Sequence, residues 1–188
     1  MDALNLGKSR LINMLVKLPG KNMESRLRRW FHDPEKLLSG ANISLGQTVL
    51  EVGCGTGFFT LTAAEIIGET GHLIALDPVS GYVERVEEKV RQAGLENVEV
   101  VRRDALATGL EAESVDVALL FGVLPFPTLP LDQLLPEMHR VLKPSGTLAV
   151  WLFPVSYGVP AWILQSGLFT DLGRQEGVFR YQRSGHPL

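Results

Sequence analysis

The chain has 188 residues, of which 45% are hydrophobic and 21% are charged, which is the composition of one globular domain and excludes a disordered chain. Its formal net charge of −3 excludes a generally basic nucleic-acid-binding protein. The single cysteine, Cys54, and the four histidines exclude a disulfide framework and zinc fingers, and they favour a reducing, cytoplasmic location.

Charge is distributed unevenly along the chain. Residues 1–40 hold eight Lys and Arg against four acids, so this segment carries +4 and the remainder carries −7. An apolar stripe of Leu11, Leu15 and Leu18 predicts a helical cap segment over 1–40, followed by a core domain over 41–188. The simplest interpretation of the basic charge is a solvated helix face, and a substrate lid, a membrane-surface contact and a partner site are alternatives.

No part of the sequence reaches the roughly 20 apolar residues that a membrane span requires. The apolar run near the N-terminus is interrupted by Asn13 and Lys17 and is followed by no small-residue cleavage site. We therefore expect neither a membrane span nor a signal peptide.

From residue 48 onward, short runs rich in Val, Leu and Ile alternate with segments of helical period. This alternation predicts an α/β domain in which a parallel sheet is covered by helices on both faces. Pro136 should kink its helix or split off the first turn. The predicted strands are 48–52, 72–76, 98–102, 115–121 and 147–153, and the predicted helices are 57–67, 81–93 and 131–142. A weaker pattern predicts a helix at 160–165 and strands at 168–174 and 178–183, joined in a hairpin at Glu176 and Gly177.

Ligands of open α/β sheets bind beyond the carboxyl ends of the strands, so the residues that follow each predicted strand are the candidate site. The first strand leads from Glu51 into a loop with glycine at 53, 55 and 57, where the backbone can turn sharply and approach a ligand closely. Asp77 ends the second strand, 20 residues after Gly57, and can accept both hydrogens of a ribose diol.

A glycine-rich first loop fits a nicotinamide or flavin dinucleotide as well as other adenosine ligands. The spacing here is G-x-G-x-G, whereas the dinucleotide fingerprint is G-x-G-x-x-G. Glu51, just before the loop, would oppose a pyrophosphate but would suit a positively charged ligand. The charge therefore favours a cationic cofactor.

The segment 49–57, Val-Leu-Glu-Val-Gly-Cys-Gly-Thr-Gly, resembles the first motif of the class I S-adenosylmethionine-dependent methyltransferases. Three further motifs agree in order and spacing, at 73–77, at 103–105 with 115–118, and at 140–148. The last is similar to the R-V-L-K-P-G-G turn of the branch that includes ubiquinone and menaquinone C-methyltransferases. The resemblance implies a Rossmann-like three-layer sandwich with a mostly parallel seven-stranded sheet, in the order 3-2-1-4-5-7-6, and an antiparallel last strand.

The same resemblance implies that the cofactor is S-adenosylmethionine, with S-adenosylhomocysteine as product and no metal. Glu51 would face the methionine ammonium, Asp77 would accept the ribose hydroxyls, and Asp104 would take the adenine amino group. The glycines could instead serve only the tight turn, and Asp104 could cap a following turn. The implied cofactor-binding residues are Glu51, Gly53, Cys54, Gly55, Gly57, Asp77, Pro78, Asp104, Ala105, Phe121 and Gly122.

The acceptor site is less defined by the sequence, and no catalytic residue is identified because methyl transfer from a sulfonium does not require a dedicated base. The apolar segment 124–128 predicts a small or lipophilic acceptor and no nucleic acid. His139 is expected to pack or cap, and Cys54 to be a small buried residue. The candidate acceptor residues are Trp30, Phe31, His32, Leu124 and Tyr157.

Three functions are compatible with these features. The favoured one is a small-molecule methyltransferase. The second is a non-catalytic or partner-dependent S-adenosylmethionine-binding subunit, because a chain this short leaves little for a substrate lid. The third is a nicotinamide dehydrogenase, against which Glu51 and the glycine spacing argue. A homodimer and a complex with a partner subunit are both open.

Overall fold

The computed structural model describes residues 33–125, 129–153 and 158–185. The strands and helices follow one another in the order that the hydrophobic pattern predicts. The elements are α1 (Pro34–Ala41), β1 (Thr48–Val52), α2 (Thr60–Ile67), β2 (His72–Leu76), α3 (Ser80–Ala93), β3 (Val98–Val101), β4 (Val115–Phe121), α4 (Leu131–Val141), β5 (Leu142–Trp151), α5 (Val159–Gln165), β6 (Phe169–Gln175) and β7 (Val178–Arg183).

The seven strands form one sheet in the order β3-β2-β1-β4-β5-β7-β6. The first five strands pair in parallel, and β7 runs antiparallel to both β5 and β6. The predicted strand order and the antiparallel last strand are confirmed. Because the chain builds β2 and β3 on one side of β1 and β4 and β5 on the other, the carboxyl ends of β1 and β4 lie at the topological switch point.

Alternate residues of the strands pack on opposite faces of the sheet, as a period of two requires. In β1, Leu50 belongs to the core under α4 and α5, whereas Val49 belongs to the core under α1 and α2. The helix α3 packs over Ala75, on the same face as α2. Helices thus cover both faces, and the sheet forms the middle of three layers.

The first helix joins the core directly. Asp33 caps α1 by accepting the Glu35 N–H at 3.0 Å, and Leu37, Leu38 and Ala41 are buried. The boundary predicted between residues 40 and 41 falls inside this helix. Residues 1–32, which include the predicted apolar stripe and most of the basic charge, lie outside the described residues.

Two element boundaries differ from the prediction by more than two residues. The helix α2 begins at Thr60 and not near 57, because Gly55 and Gly57 have φ of 53° and 77°, outside the helical region. The strand β5 begins at Leu142, which already pairs with Val115 before the turn that precedes Thr147. Pro136 lies inside α4 without splitting it.

A charged group joins three strands at the end of the sheet opposite the candidate site. Asp116, the second residue of β4, accepts the Thr48 N–H at 2.8 Å and the Lys143 ammonium at 2.8 Å through the same oxygen, Oδ2. Thr48 begins β1, and Lys143 is the second residue of β5. Asp116 therefore fixes the register of β1, β4 and β5 where the strands begin.

We expect Asp116→Ala to lower the free energy of unfolding by about 1–3 kcal/mol, because it leaves the partly buried Thr48 N–H without a partner. Lys143→Met should cost less than about 1 kcal/mol, because the Lys143 side chain is 40% exposed and its ion pair is screened by water. Urea denaturation measures both. An equal cost for the two variants would show that the ion pair, and not the bond to the backbone, carries the effect.

Candidate functional site

The loop after β1 is tied to the end of β2 by its backbone. The Gly53 and Cys54 N–H groups both donate to the Leu76 carbonyl, at 2.7 and 3.0 Å. Gly53 has a φ of 72°, and a Cβ at this position would lie 2.5 Å from Cγ1 of Val123. No side chain fits there, so the glycine is required both by the backbone conformation and by the close approach of the loop after β4.

A cavity of about 390 Å³ opens at the carboxyl ends of β1, β2, β3 and β4, within the size range of small-molecule sites. Its ionisable lining residues are Asp77, Asp104 and Tyr82, and most of the other lining groups are apolar or glycine. The structure thus brings together residues that the sequence places after four different strands. The lining consists of Val52, Gly53, Gly55, Leu76, Asp77, Pro78, Val79, Tyr82, Asp104, Ala105, Gly122, Val123 and Leu129.

Asp77 is held rigidly at the wall of this cavity. Its Oδ2 accepts the Gly55 N–H at 3.0 Å, and its Oδ1 accepts the Val79 N–H at 2.9 Å. Burial raises the pKa of this carboxyl above its usual value, although the two backbone donors act in the opposite direction. A carboxylate can accept about four hydrogen bonds, so each oxygen keeps the capacity to accept one from a ligand.

Glu51 lies on the other face of β1 from Val52 and does not line the cavity. It is 3% exposed, and its Oε2 accepts the Thr60 hydroxyl at 2.7 Å. Burial raises its pKa from 4.5 to about 8, the nearby Asp77 adds to the increase, and the Thr60 hydrogen bond opposes it. Burial therefore favours the protonated form of the Glu51 carboxyl.

Asp104 has two roles in the structure. Its Oδ1 accepts the Leu106 N–H at 3.0 Å and its carbonyl accepts the Ala107 N–H at 3.1 Å, so it caps the turn that follows β3. It also lines the cavity, beside the buried Ala105. The turn-capping alternative is thus confirmed, and the expected contact with adenine stays a prediction.

Phe121 does not point into the cavity. Its ring lies 5.1 Å from the ring of Phe59 and 6.4 Å from that of Trp151, in the core under α1 and α2. The alternation of β4 sends Leu120 to the face of α4 and α5 and Phe121 to the opposite face. Val123, two residues further on, lines the cavity instead.

Cys54 and Gly57 also lie outside the cavity lining. Cys54 is buried against Ala75 and Val86, and burial together with the nearby acids Glu51 and Asp77 raises the pKa of its thiol. Cys54 is thus a small buried residue, as expected. Gly57 has a φ of 77°, and a Cβ there would come within 3.2 Å of the Val86 side chain.

The candidate acceptor residues are only partly described. Leu124 is 2% exposed and contributes to a depression beside the cavity. Trp30, Phe31, His32 and Tyr157 lie outside the described residues.

His139 lies away from the cavity, with its Nε2 3.0 Å from the Ser184 carbonyl oxygen. The prediction that this histidine packs or caps is confirmed, since its ring also lies 5.9 Å from that of Phe169.

The sequence reasoning missed Tyr82. This residue lies in the first turn of α3, five residues after Asp77, and lines the cavity. Burial raises the pKa of its hydroxyl, and the charge of Asp77 raises it further, so the two side chains lie near each other. The position of α3 directly after β2 was the available signal, because the first turn of such a helix faces the strand ends.

Two further observations concern the described residues alone. Within 33–125, 129–153 and 158–185, no three His, Cys, Asp or Glu side chains come together as a metal-binding group. Over the same ranges, every helix is too short or too polar to cross a membrane.

The sequence was compared with known protein families. Residues 49–146, slightly more than half of the chain, match the family model of the methyltransferase domain. The demethylmenaquinone methyltransferase of Listeria welshimeri is 35% identical over 135 residues, which cover 71% of this chain and 55% of that protein. The chain spans about half the length of the curated relatives it matches.

Solved structures share the architecture. A SAM dependent methyltransferase from Aquifex aeolicus matches with a TM-score of 0.72 and 27% identity, covering 91% of this chain and 97% of that chain. The cyclase SpnF matches with a TM-score of 0.65 and 22% identity, covering 74% of this chain and 56% of that chain. The fold alone therefore does not select one reaction. The family match and the identity to the curated relatives do select a family: this chain belongs to the methyltransferase domain family, with the fold of the class I S-adenosylmethionine-dependent methyltransferases.

Proposed function

We propose that this chain binds S-adenosylmethionine in the cavity at the strand ends and transfers its methyl group to a small molecule. The observation that carries the proposal is Asp77, which two backbone N–H groups hold at the cavity wall next to the glycine loop. The family membership supports the same assignment. The nicotinamide alternative is less favoured, because the described residues of the cavity lining include no basic side chain that would balance a pyrophosphate.

The cavity residues fit this cofactor. Gly53 and Gly55 leave the floor of the cavity without side chains, and Asp77 keeps acceptor capacity for the two ribose hydroxyls. Apolar atoms of Pro78, Val79 and Ala105 suit a flat adenine ring. Tyr82 adds an aromatic face and a hydroxyl close to Asp77.

When bound, S-adenosylmethionine would supply a methyl group on a positively charged sulfur, and the neutral thioether that remains would keep the electron pair of the broken bond. The residues of this chain bind and orient the two reactants and exclude water from the cavity. The acceptor atom would lose its proton as the new bond forms, which balances the charge of the transferred methyl group.

For the acceptor, we propose a quinone-type aromatic ring. The curated relatives are named demethylmenaquinone methyltransferases, and the lining beside Gly122 consists of Val123 and Leu129, which suit an apolar ring. The alternative is a subunit that needs a partner to complete the acceptor site. Activity of the purified chain alone on a reduced naphthoquinone separates the two, since a partner-dependent subunit would be inactive in that assay.

Replacement of Asp77 by Ala should weaken binding of S-adenosylmethionine and S-adenosylhomocysteine roughly tenfold to a hundredfold, because it removes acceptors for the ribose hydroxyls. Calorimetry on the full chain measures both affinities. The affinity of Asp77→Asn, which keeps one oxygen, should lie between those of Asp77→Ala and the parent chain. Asp171→Ala, at an exposed position on β6, is the matched control. Unchanged affinity in a folded Asp77→Ala variant would refute the assignment of the cavity.

Binding of S-adenosylmethionine near neutral pH should release a proton from Glu51. Glu51 does not line the cavity, but it is close enough for the charge of the cavity residue Asp77 to raise its pKa. Positive charges of a ligand in the cavity should therefore act in the opposite direction and lower a pKa that burial has raised to about 8. Calorimetry in two buffers of different ionisation enthalpy measures the proton, and Glu51→Gln should abolish its release. Glu65→Gln, on the exposed side of α2, should leave it unchanged.

The pH dependence of unfolding tests the protonation state of Glu51 separately from its distance to the bound cofactor. Because the folded chain holds the Glu51 proton and the unfolded chain releases it, the free energy of unfolding without ligand should fall as pH rises from 4.5 towards 8. Glu51→Gln should flatten this dependence. If the dependence is present but no proton is released on binding, the cofactor's positive charges do not lie near Glu51.

A further inference from the structure

The connection from β3 to β4 is hydrogen-bonded to α4 through one buried residue, Thr108. The Thr108 N–H donates to Oε1 of Glu137 at 2.9 Å, and the Thr108 hydroxyl donates to the same oxygen at 2.6 Å. Thr108 is fully buried, and the Glu137 side chain is 11% exposed. Hydrogen bonds to a carboxylate are strong where water is largely excluded, so these two fix the connection against the helix.

Glu137 is held in place from its own helix. Arg140 donates to both of its carboxylate oxygens, from Nε to Oε2 at 2.7 Å and from Nη2 to Oε1 at 2.8 Å. Burial raises the pKa of Glu137, but the hydrogen bonds from Arg140 and Thr108 outweigh burial, and the pKa lies below its usual value. The group that accepts from Thr108 is therefore a carboxylate with a fixed orientation.

The turn at 104–108 carries two residues of the cavity lining, Asp104 and Ala105. A hydrogen bond of 3.1 Å between the carbonyl of its first residue and the N–H three residues further on closes the turn. Arg103, which precedes the turn, donates from Nη1 to the Thr108 carbonyl at 2.7 Å. The two ends of the turn are thus joined, so the position of Thr108 determines that of Asp104.

We propose that Glu137 is a positioning residue for the adenine end of the cofactor site, because it holds the turn at 104–108 where Asp104 meets the base. The inference rests on the proposed function and adds a residue that does not itself line the cavity. Without Glu137, the turn would still be closed by its own hydrogen bonds but would lose its attachment to α4. Asp104 would then no longer be held at the adenine amino group.

The test compares two ligands that differ only at the base, S-adenosylhomocysteine and its analogue with hydrogen in place of the adenine amino group. Calorimetry on the full chain measures both dissociation constants. The parent chain should bind S-adenosylhomocysteine roughly tenfold more tightly, because Asp104 accepts a hydrogen bond from the amino group. Glu137→Ala should reduce this preference to about twofold or less. A loss of stability alone would lower both affinities by the same factor and leave their ratio unchanged.

Two further variants separate the hydrogen bonds of Glu137. Glu137→Gln keeps an oxygen that can accept from Thr108, so it should retain most of the preference. Thr108→Val removes the hydroxyl with little change of shape and keeps the backbone N–H, so the preference should fall partway. Glu111→Ala is the matched control, since it removes an exposed acid from the same connection between β3 and β4. It should leave the preference unchanged.

Failure of the parent chain to bind S-adenosylhomocysteine would refute the proposed function itself. If the parent chain binds the two ligands equally, Asp104 does not contact the amino group and the inference about Glu137 is wrong. It is also wrong if Glu137→Ala, folded as judged by circular dichroism, retains the preference. Should that variant fail to fold, Thr108→Val decides, and an unchanged preference in Thr108→Val would overturn the inference.

Discussion

The hydrogen bond from the Gly55 N–H to the Asp77 carboxylate is the interaction on which the site depends. It joins the loop after β1 to the residue that ends β2, and the Leu76 carbonyl strengthens the same junction by accepting two further N–H groups. A parallel sheet aligns strand ends but does not fix the loops that leave them. Here the loop is fixed by its neighbour strand, so the cavity has its shape before any ligand binds.

The charges at and near the cavity favour a cationic ligand over an anionic one. Among the described residues, the cavity lining holds two acids and no lysine or arginine, and Glu51 lies buried on the other face of β1. Ionising a buried carboxyl is costly without a positive partner, and the raised pKa values of Asp77 and Glu51 express that cost. A cationic ligand supplies the missing partner, whereas a pyrophosphate would add to the repulsion.

Much of the candidate site could be predicted from the sequence, because the carboxyl ends of parallel strands meet at one edge of an α/β sheet regardless of how the side chains pack. Asp77, Gly53 and Gly55 are examples: their positions follow from the ends of two strands. Phe121 shows what was not accessible. Both faces of β4 are apolar, so the pattern does not tell which face a given side chain takes, and only the packing against Phe59 decides it. The predicted start of α2 is wrong for a similar reason, since the sequence does not distinguish a glycine that ends a turn from a glycine that begins a helix.

The two ends of the sheet are built differently. At the end where the strands begin, Asp116 joins β1, β4 and β5 through one oxygen atom. At the end where β1 to β4 finish, described residues of the loops, such as Val79, Ala105 and Val123, line the cavity. The described residues that fix the register of the strands are therefore not those that line the cavity. Evolution can then vary the loops after β4 and β5 to admit new acceptors while the alignment of the strands beneath them stays the same.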